Sequence, residues 1–332
     1  MISSGQNAAL PATQIVLLFG AGASAFSGRV LYRGQAERCP PVGFGPNGLF
    51  AALRTEGGIA ATFPSDIQSA LVDDFEAGMR LLESMPGTFH CALQRQIALH
   101  LASYKIRRQN YYMQLLEPAY MRSKAVQYST VNYDILLDQA FASYGLQIEG
   151  DSIDSPSPQS VTLLKLHGAC NILMKTKNKI YGNEVIDAPF GYHSLVNGKI
   201  GKLYLARSHA EIERWCRNSA NIQFAPLIAQ YVKEKSFLVR SDAFGIMQNF
   251  WSQKIANATA IFIIGVRCVP EDEHIWKPIF KSSAKLYIVN PDYTAIEKWG
   301  ASRANKPVHL AKYFSDFPII QNAVRSELDV IN

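Results

Sequence analysis

The stretch that most constrains this chain is the apolar run Ile15 to Phe19, stopped by Gly20-Ala-Gly22-Ala-Ser24. A strand with no polar alternation must be covered on both faces, which is the situation of an interior strand in a parallel sheet. The glycines that follow read as a tight turn into a helix N-terminus. Such an opening belongs to an α/β chain. The rest of the composition agrees: 332 residues, 48% hydrophobic and 18% charged, exclude disordered, collagenous and fibrous classes. The expectation is one domain over residues 1–332 with a small subdomain inserted in it.

The same grammar recurs along the chain. Ala125 to Ser129 reads as a second strand, followed by the polar turn Thr130-Val-Asn132-Tyr-Asp134 and a helical run through Leu136, Leu137, Ala140 and Phe141. A third strand, Val161 to Leu166, ends at His167-Gly168, a fourth, Ala260 to Ile264, at Gly265, and a fifth, Lys285 to Val289, at Asn290-Pro291. Between them, Arg29 to Gly48 is rich in Gly, Pro and Arg and reads as a long loop. Residues 65–121 carry a helical period at Ile67, Leu71, Phe75, Leu93, Ile97 and Leu101, and predict helices packing on the core. Gly150 to Ser160 reads as a connection, residues 169–221 as a small β-rich insertion, and Ile222 to Asn257 as helical. Strands alternating with helices predict a Rossmann-like, doubly wound parallel sheet with helices on both faces. In such sheets ligands bind beyond the carboxyl ends of the strands, where the strand order reverses. All the polar signals above stand at such ends.

Charge and cysteine content narrow the partners. Thirty-three Lys and Arg against 27 Asp and Glu leave +6, too small an excess to demand nucleic acid, and direct nucleic-acid binding is not expected. Arg107-Arg108 reads as an exposed helix end, and Lys175, Lys177 and Lys179 as a solvated hairpin face. Met1 to Pro11 has no basic leader, and Ile15 to Phe19 is far shorter than the ~18 residues of a membrane helix, so a soluble cytoplasmic protein is expected. The five cysteines, Cys39, Cys91, Cys170, Cys216 and Cys268, are dispersed, odd in number and without a CxxC pair; they read as reduced thiols, and no metal site is expected. Cys170, three residues after His167, reads as a buried filler rather than a nucleophile.

Each candidate motif has a plain reading beside a chemical one. Gly20-Ala-Gly22 can bring backbone N–H groups to a pyrophosphate, or it can simply close a helix-packing turn; the third glycine of the dinucleotide fingerprint is Ala25 here. Asn132 and Asp134 pair a carboxamide with a carboxylate, suited to holding a sugar hydroxyl and a water, or one of them caps the next helix. His167 can be a base or a hydrogen-bonded structural residue. Asp272 and His274 can be a ligand pair or belong to the favoured acidic start of a helix.

Taken in order, Gly20-Ala-Gly22-Ala-Ser24, Thr130-Val-Asn132-Tyr-Asp134, Lys165-Leu-His167-Gly168, and Ile263-Ile-Gly265 with Asp272 resemble the sirtuin family, and in particular its divergent bacterial branch without a zinc ribbon. Pro40-Pro-Val-Gly43 resembles the same branch, and the likeness spans Gln14 to Asn290. The resemblance implies NAD as substrate. It places Gly20, Ala21, Gly22 and Ser24 at the pyrophosphate, with Thr130 in the same binding set. Asn132 and Asp134 then lie near the nicotinamide ribose, His167 on the ribose hydroxyls, and Gly265 and Asn290 beside the adenosine half. It further implies an NAD hydrolase acting in antiphage defence by depleting NAD, controlled by oligomerisation or by an activating partner protein. Two departures count against protein deacylation: the four-cysteine ribbon is missing, and Ala25-Phe-Ser-Gly28-Arg29 replaces the family's loop over nicotinamide. The alternatives are a deacylase or ADP-ribosyltransferase using the same pocket, and a non-catalytic NAD-binding module.

Overall fold

The computed structural model describes residues 15–43, 45–83, 89–116, 125–148, 160–174, 186–187, 193–194, 203–222, 224–228 and 241–330. Its centre is a six-stranded parallel sheet of β1 (Ile15–Phe19), β2 (Val126–Thr130), β3 (Leu163–Lys165), β4 (Ala260–Ile264), β5 (Lys285–Val289) and β6 (Val308–Ala311). Across the sheet the order is β6-β5-β4-β1-β2-β3. The chain therefore winds outward from β1 in one direction and, after β3, returns to β1 and winds outward in the other. The reversal lies between β1 and β4, the crevice in which doubly wound sheets hold their ligands.

The unbroken apolar strands follow from burial on both faces. Ile15, Leu17 and Phe19 join one hydrophobic core, and the alternate residues Val16 and Leu18 join another on the opposite face. The same division separates Ala260, Phe262 and Ile264 from Ile261 and Ile263, as the two-residue side-chain period of a strand requires. Trp251, Ile275, Trp276, Ile279 and Ile296, from the helices Ser241–Ala256, Glu273–Lys281 and Tyr293–Gly300, cover the second face. The first is covered by Leu93, Ile97, Phe141, Phe314 and Ile320, among others.

Several expectations need correction. The stretch Arg29 to Gly48 is not wholly a loop. Val30–Tyr32 pairs antiparallel with Ala36–Glu37 on one side and with Tyr104–Ile106 on the other, forming a separate three-stranded sheet. Arg107-Arg108 consequently follows a strand and does not end a helix. The third strand is split: Ser160–Val161 pairs with Gln147–Ile148, and only Leu163–Lys165 enters the main sheet. β6 and the helix Phe317–Asp329 complete the fold beyond the last element anticipated. In the region 169–221, Ile172–Met174 pairs antiparallel with Leu203–Leu205 and Ile186–Asp187 with His193–Ser194, but the segment ends in a helix, His209–Arg217. Lys175, Lys177, Lys179 and most of the connection Gly150 to Ser160 lie outside the described residues, as do Met1 to Pro11 and residues 229–240 of the stretch expected to be helical. No described helix is long and apolar enough to cross a membrane.

Candidate active site

The site is assembled at the carboxyl ends of β1, β2, β3 and β4. Beyond β1, the chain turns at Gly20 into the short helix Ala21–Ala25. The turn is locked to the end of β4: the Gly20 N–H donates to the Ile264 carbonyl and the Gly22 N–H to the Gly265 carbonyl, both at 2.9 Å. Gly265 has φ +66°, a left-handed conformation, and a Cβ there would stand 2.1 Å from the Ala23 nitrogen. A Cβ on Gly20 would meet the Gly265 carbonyl oxygen at 2.5 Å. The plain reading of the glycines is thus realised: they let two strand ends touch. The Gly22 and Ala23 N–H groups are occupied within the protein, the latter by the Gly20 carbonyl. The part of Gly20 and Gly22 is to fix the wall of the crevice.

Beyond β2, Thr130 and Asn132 form a braced turn. The Thr130 hydroxyl donates to the Phe19 carbonyl at 3.1 Å and accepts from the Asn132 N–H at 3.0 Å, so its capacity is spent on holding the turn. The Asn132 carboxamide crosses to the β1 turn, its Nδ2 donating to the Gly20 carbonyl (2.9 Å) and to Ser24 Oγ (3.0 Å). Ser24 Oγ is also 3.0 Å from the Tyr112 hydroxyl. With both amide hydrogens engaged, the orientation of Asn132 is set and Oδ1 faces the other way. Asn132 is 7% exposed, and Oδ1 is buried with no hydrogen-bond partner among the described residues. A buried acceptor without a donor costs about 1–3 kcal/mol, and a catalytic role, a bound water or an ion is among the reasons native structures keep one.

Asp134 divides the two readings of this motif. Its Oδ1 accepts from the Leu136 N–H at 3.0 Å, tying down the start of the helix Leu136–Ser143 from one residue before its N-cap, Ile135, so neither Asn132 nor Asp134 is the N-cap itself and only Asp134 serves the helix end. Burial pushes the Asp134 carboxyl up from its ordinary range, opposed by the Leu136 N–H, the Ser24 hydroxyl and the Lys165 ammonium. A raised folded-state value means that the native state holds the proton more tightly. The carboxyl's contribution to stability is then complete below the ordinary aspartate range and declines as pH rises through the raised value. Asp134→Asn keeps the acceptor for Leu136 and removes that decline. Thermal melts across pH should show the variant at or above wild-type Tm near neutrality, with a flatter profile; a lower Tm there would mean that Lys165 outweighs burial.

β3 brings His167 alongside. Thr130 and Lys165 are register partners, and each is followed two residues later by Asn132 and His167, so the amide and the imidazole emerge from the same end of neighbouring strands. His167 is 6% exposed. Its Nε2 lies 3.7 Å from Asp272 Oδ2, and its ring centroid is 5.4 Å from that of His274. Asp272 immediately precedes the helix Glu273–Lys281 and its side chain does not cap it, so the carboxylate is turned to the imidazole instead. Behind His167 runs a buried polar network that the sequence did not announce. Lys165 Nζ donates to Asp138 Oδ2 (2.7 Å) and Asn171 Oδ1 (3.3 Å), and Asn171 Nδ2 donates to Asp138 Oδ1 (2.8 Å). Cys170 is fully buried there and burial holds its thiol well above its ordinary range, which leaves it the filler expected.

Asn290 closes the far side of the crevice. Its Nδ2 donates to the Val266 carbonyl and its Oδ1 accepts from the Asp292 N–H, at 2.7 and 2.8 Å, which pins the turn after β4. The structure therefore gathers Gly20, Ala21, Gly22, Ser24, Thr130, Asn132, Asp134, His167, Gly265 and Asn290 around the strand ends flanking the reversal. Tyr112 and the Lys165, Asp138 and Asn171 network are additions to that set. Among the described residues, no group of three or more His, Cys, Asp or Glu is arranged to hold a metal ion.

No family model and no curated protein matches this chain. Solved structures do. A Sir2 homologue mutant in complex with ADP-ribose aligns over 95% of this chain and 93% of its own at 13% identity and TM-score 0.49. A Sir2 enzyme solved for the basis of its mechanism and regulation aligns over 96% and 94% at 15% identity and TM-score 0.45. A Sir2 homologue–NAD complex aligns over 96% and 91% at 12% identity and TM-score 0.43.

Proposed function

We propose that this chain is an NAD hydrolase that cleaves the nicotinamide–ribose bond to release nicotinamide and ADP-ribose. The observation that carries this reading is Asn132: a carboxamide clamped through both amide hydrogens, presenting a buried acceptor without a donor among the described residues, at the reversal of a dinucleotide-type sheet. Such an acceptor suits a nicotinamide amide, a ribose hydroxyl or the attacking water. The motif resemblance to sirtuins supports the choice of NAD among dinucleotides, and the Sir2 complexes with NAD and ADP-ribose agree with it.

The chemistry asks little covalent work of the protein. As the C–N bond breaks, its electron pair leaves with the nicotinamide ring, whose positive charge it cancels, while positive character develops on the ribose. Water then supplies oxygen to the ribose carbon and gives up a proton. In this reading Asn132 Oδ1 positions the water and the departing ring. Asp134, in a buried setting where charges act strongly, offsets the developing positive charge. His167 polarises the ribose hydroxyls or takes the proton, with Asp272 stabilising its charged form. Gly265 and Asn290 border the adenosine half. Consumption of NAD as antiphage defence, with control by self-association or by a partner protein, belongs to the same reading through the motif resemblance.

The deciding experiment follows free nicotinamide by chromatography while purified protein is incubated with NAD, alone and with candidate activators, without any peptide. Peptide-independent release supports the hydrolase. Release that requires an acylated peptide or a protein acceptor identifies a transferase, and binding without release under every activator identifies a sensor. In the active protein His167→Ala should cost ~10²-fold, near the lower end of what a positioned base contributes, and should leave measurable turnover.

A further inference from the structure

A cavity of about 360 Å³ is lined by Arg29, Arg107, Arg108 and Gln109, none of which is among the residues gathered at the strand ends. All four are exposed. Two backbone segments far apart in sequence meet here: the Arg107 N–H donates to the Arg29 carbonyl at 2.8 Å, and Asn110 Nδ2 donates to the Gly28 carbonyl at 2.5 Å. Among the described residues no carboxylate pairs with any of the three arginines. Arg33 by contrast is paired with Glu56. The pairing of Val30 with Ile106 sets Arg29 beside Arg107, Arg108 joins them at the same hollow, and an anion there would offset the repulsion of three like charges.

The backbone carries a second sign. Only three non-glycine residues among those described have positive φ, and two of them, Arg29 at +48° and Gln109 at +68°, line this cavity. Left-handed geometry is costly for side chains with a Cβ, and such residues gather where a site dictates their direction. Glycine would adopt the geometry of position 29 at lower cost, so the backbone does not call for an arginine there.

We infer that this cavity is an anion-binding site for a small ligand carrying two or more phosphate groups, of the nucleoside di- or triphosphate class, separate from the crevice that holds Asn132. Guanidinium presents a planar fork that matches phosphate oxygens in pairs. Three of them suit the charge of a di- or triphosphate, and the cavity volume falls in the range of small-ligand pockets. A nucleic-acid backbone would call for an extended row of cations along a groove, whereas these are gathered in one hollow. The site stands on the strap that leads to the crevice: the Tyr111 N–H donates to the Ser27 carbonyl and Ser27 Oγ to the carbonyl of Ser24, whose own Oγ accepts from Asn132 Nδ2.

The probe is tripolyphosphate, titrated into the full-length protein by calorimetry at constant ionic strength, with ATP as a second ligand and chloride as the control. Saturable one-to-one binding is expected. Arg29→Gly and Arg108→Ala should each weaken it at least about tenfold, the worth of one charge-assisted contact. Arg29→Gly should do so without lowering Tm, because glycine accepts the backbone geometry, which separates lost binding from lost folding. Asn132→Ala should leave tripolyphosphate affinity unchanged. The proposal is overturned if no saturable binding occurs, or if both arginine variants bind as wild type does. Loss of binding in Asn132→Ala would move the anion to the crevice. Strong binding of an RNA oligomer with no response to tripolyphosphate would make the patch a nucleic-acid surface.

Discussion

Asn132→Ala should reduce nicotinamide release from NAD to background, a loss of ~10³-fold, comparable with removal of a preorganised polar group aimed at a developing charge. The two ends of the Asn132 carboxamide do different work. Its Nδ2 serves the fold by bridging the Gly20 carbonyl and Ser24 Oγ, and its Oδ1 accepts from no donor among the described residues. Truncation should therefore lower stability by ~1–2 kcal/mol through the two lost hydrogen bonds, while activity falls far more. Asn132→Asp sharpens the comparison, because it keeps an oxygen in place of Oδ1 but replaces the donor side and sets a charge against the Gly20 carbonyl. Steady-state release alongside Tm separates the two effects. Near-normal activity in folded Asn132→Ala would sink the assignment.

Gly265→Ala is expected to have the largest effect on the fold. The added Cβ would collide with the Ala23 nitrogen at 2.1 Å and with Gly22 Cα at 2.8 Å, all of it backbone, on a residue held at φ +66°. Neither clash can be relieved by rotating a side chain, so β1 and β4 must part at their carboxyl ends or the turn must refold. A stability loss above ~3 kcal/mol follows from overpacking added to left-handed strain, read as a fall in Tm and denaturation midpoint. Any folded remainder should bind NAD poorly, because the Gly22-to-Gly265 hydrogen bond fixes the crevice wall. A variant with wild-type Tm and activity would show that this contact is softer than its geometry.

How much of this was legible beforehand depends on range. β1 and β4 announce themselves because burial on both faces writes an uninterrupted apolar run, and β5 does so after Lys285, whereas β2 is buried but mixes Gln127, Ser129 and Thr130 with its apolar residues. β6 does not: at the sheet edge, Val308, His309 and Leu310 keep partial or full exposure, and Val-His-Leu-Ala offers no run to notice. The strands Val30–Tyr32 and Ala36–Glu37 are too short to show alternation, and the partner that stabilises them, Tyr104–Ile106, lies some seventy residues further on. Asn132, Asp134 and His167 were visible as polar residues at strand ends. The division of labour between Asn132 and Asp134 was not, since it depends on which side chain reaches back to Leu136 and which crosses to Gly20. The glycine pair was visible, but not its reason, since the atom that excludes a Cβ belongs to Gly265. Tyr112 had no motif around it, and its contact with Ser24 spans 88 positions.

The reversal of strand order has a consequence for biosynthesis. The crevice is built from Asn132 and His167, near the middle of the chain, and from Gly265 and Asn290 in the last quarter, with β1 seated between partners from both sides of that gap. A nascent chain cannot close it before Asn290 has left the ribosome, so whatever binds in the crevice meets only the finished fold.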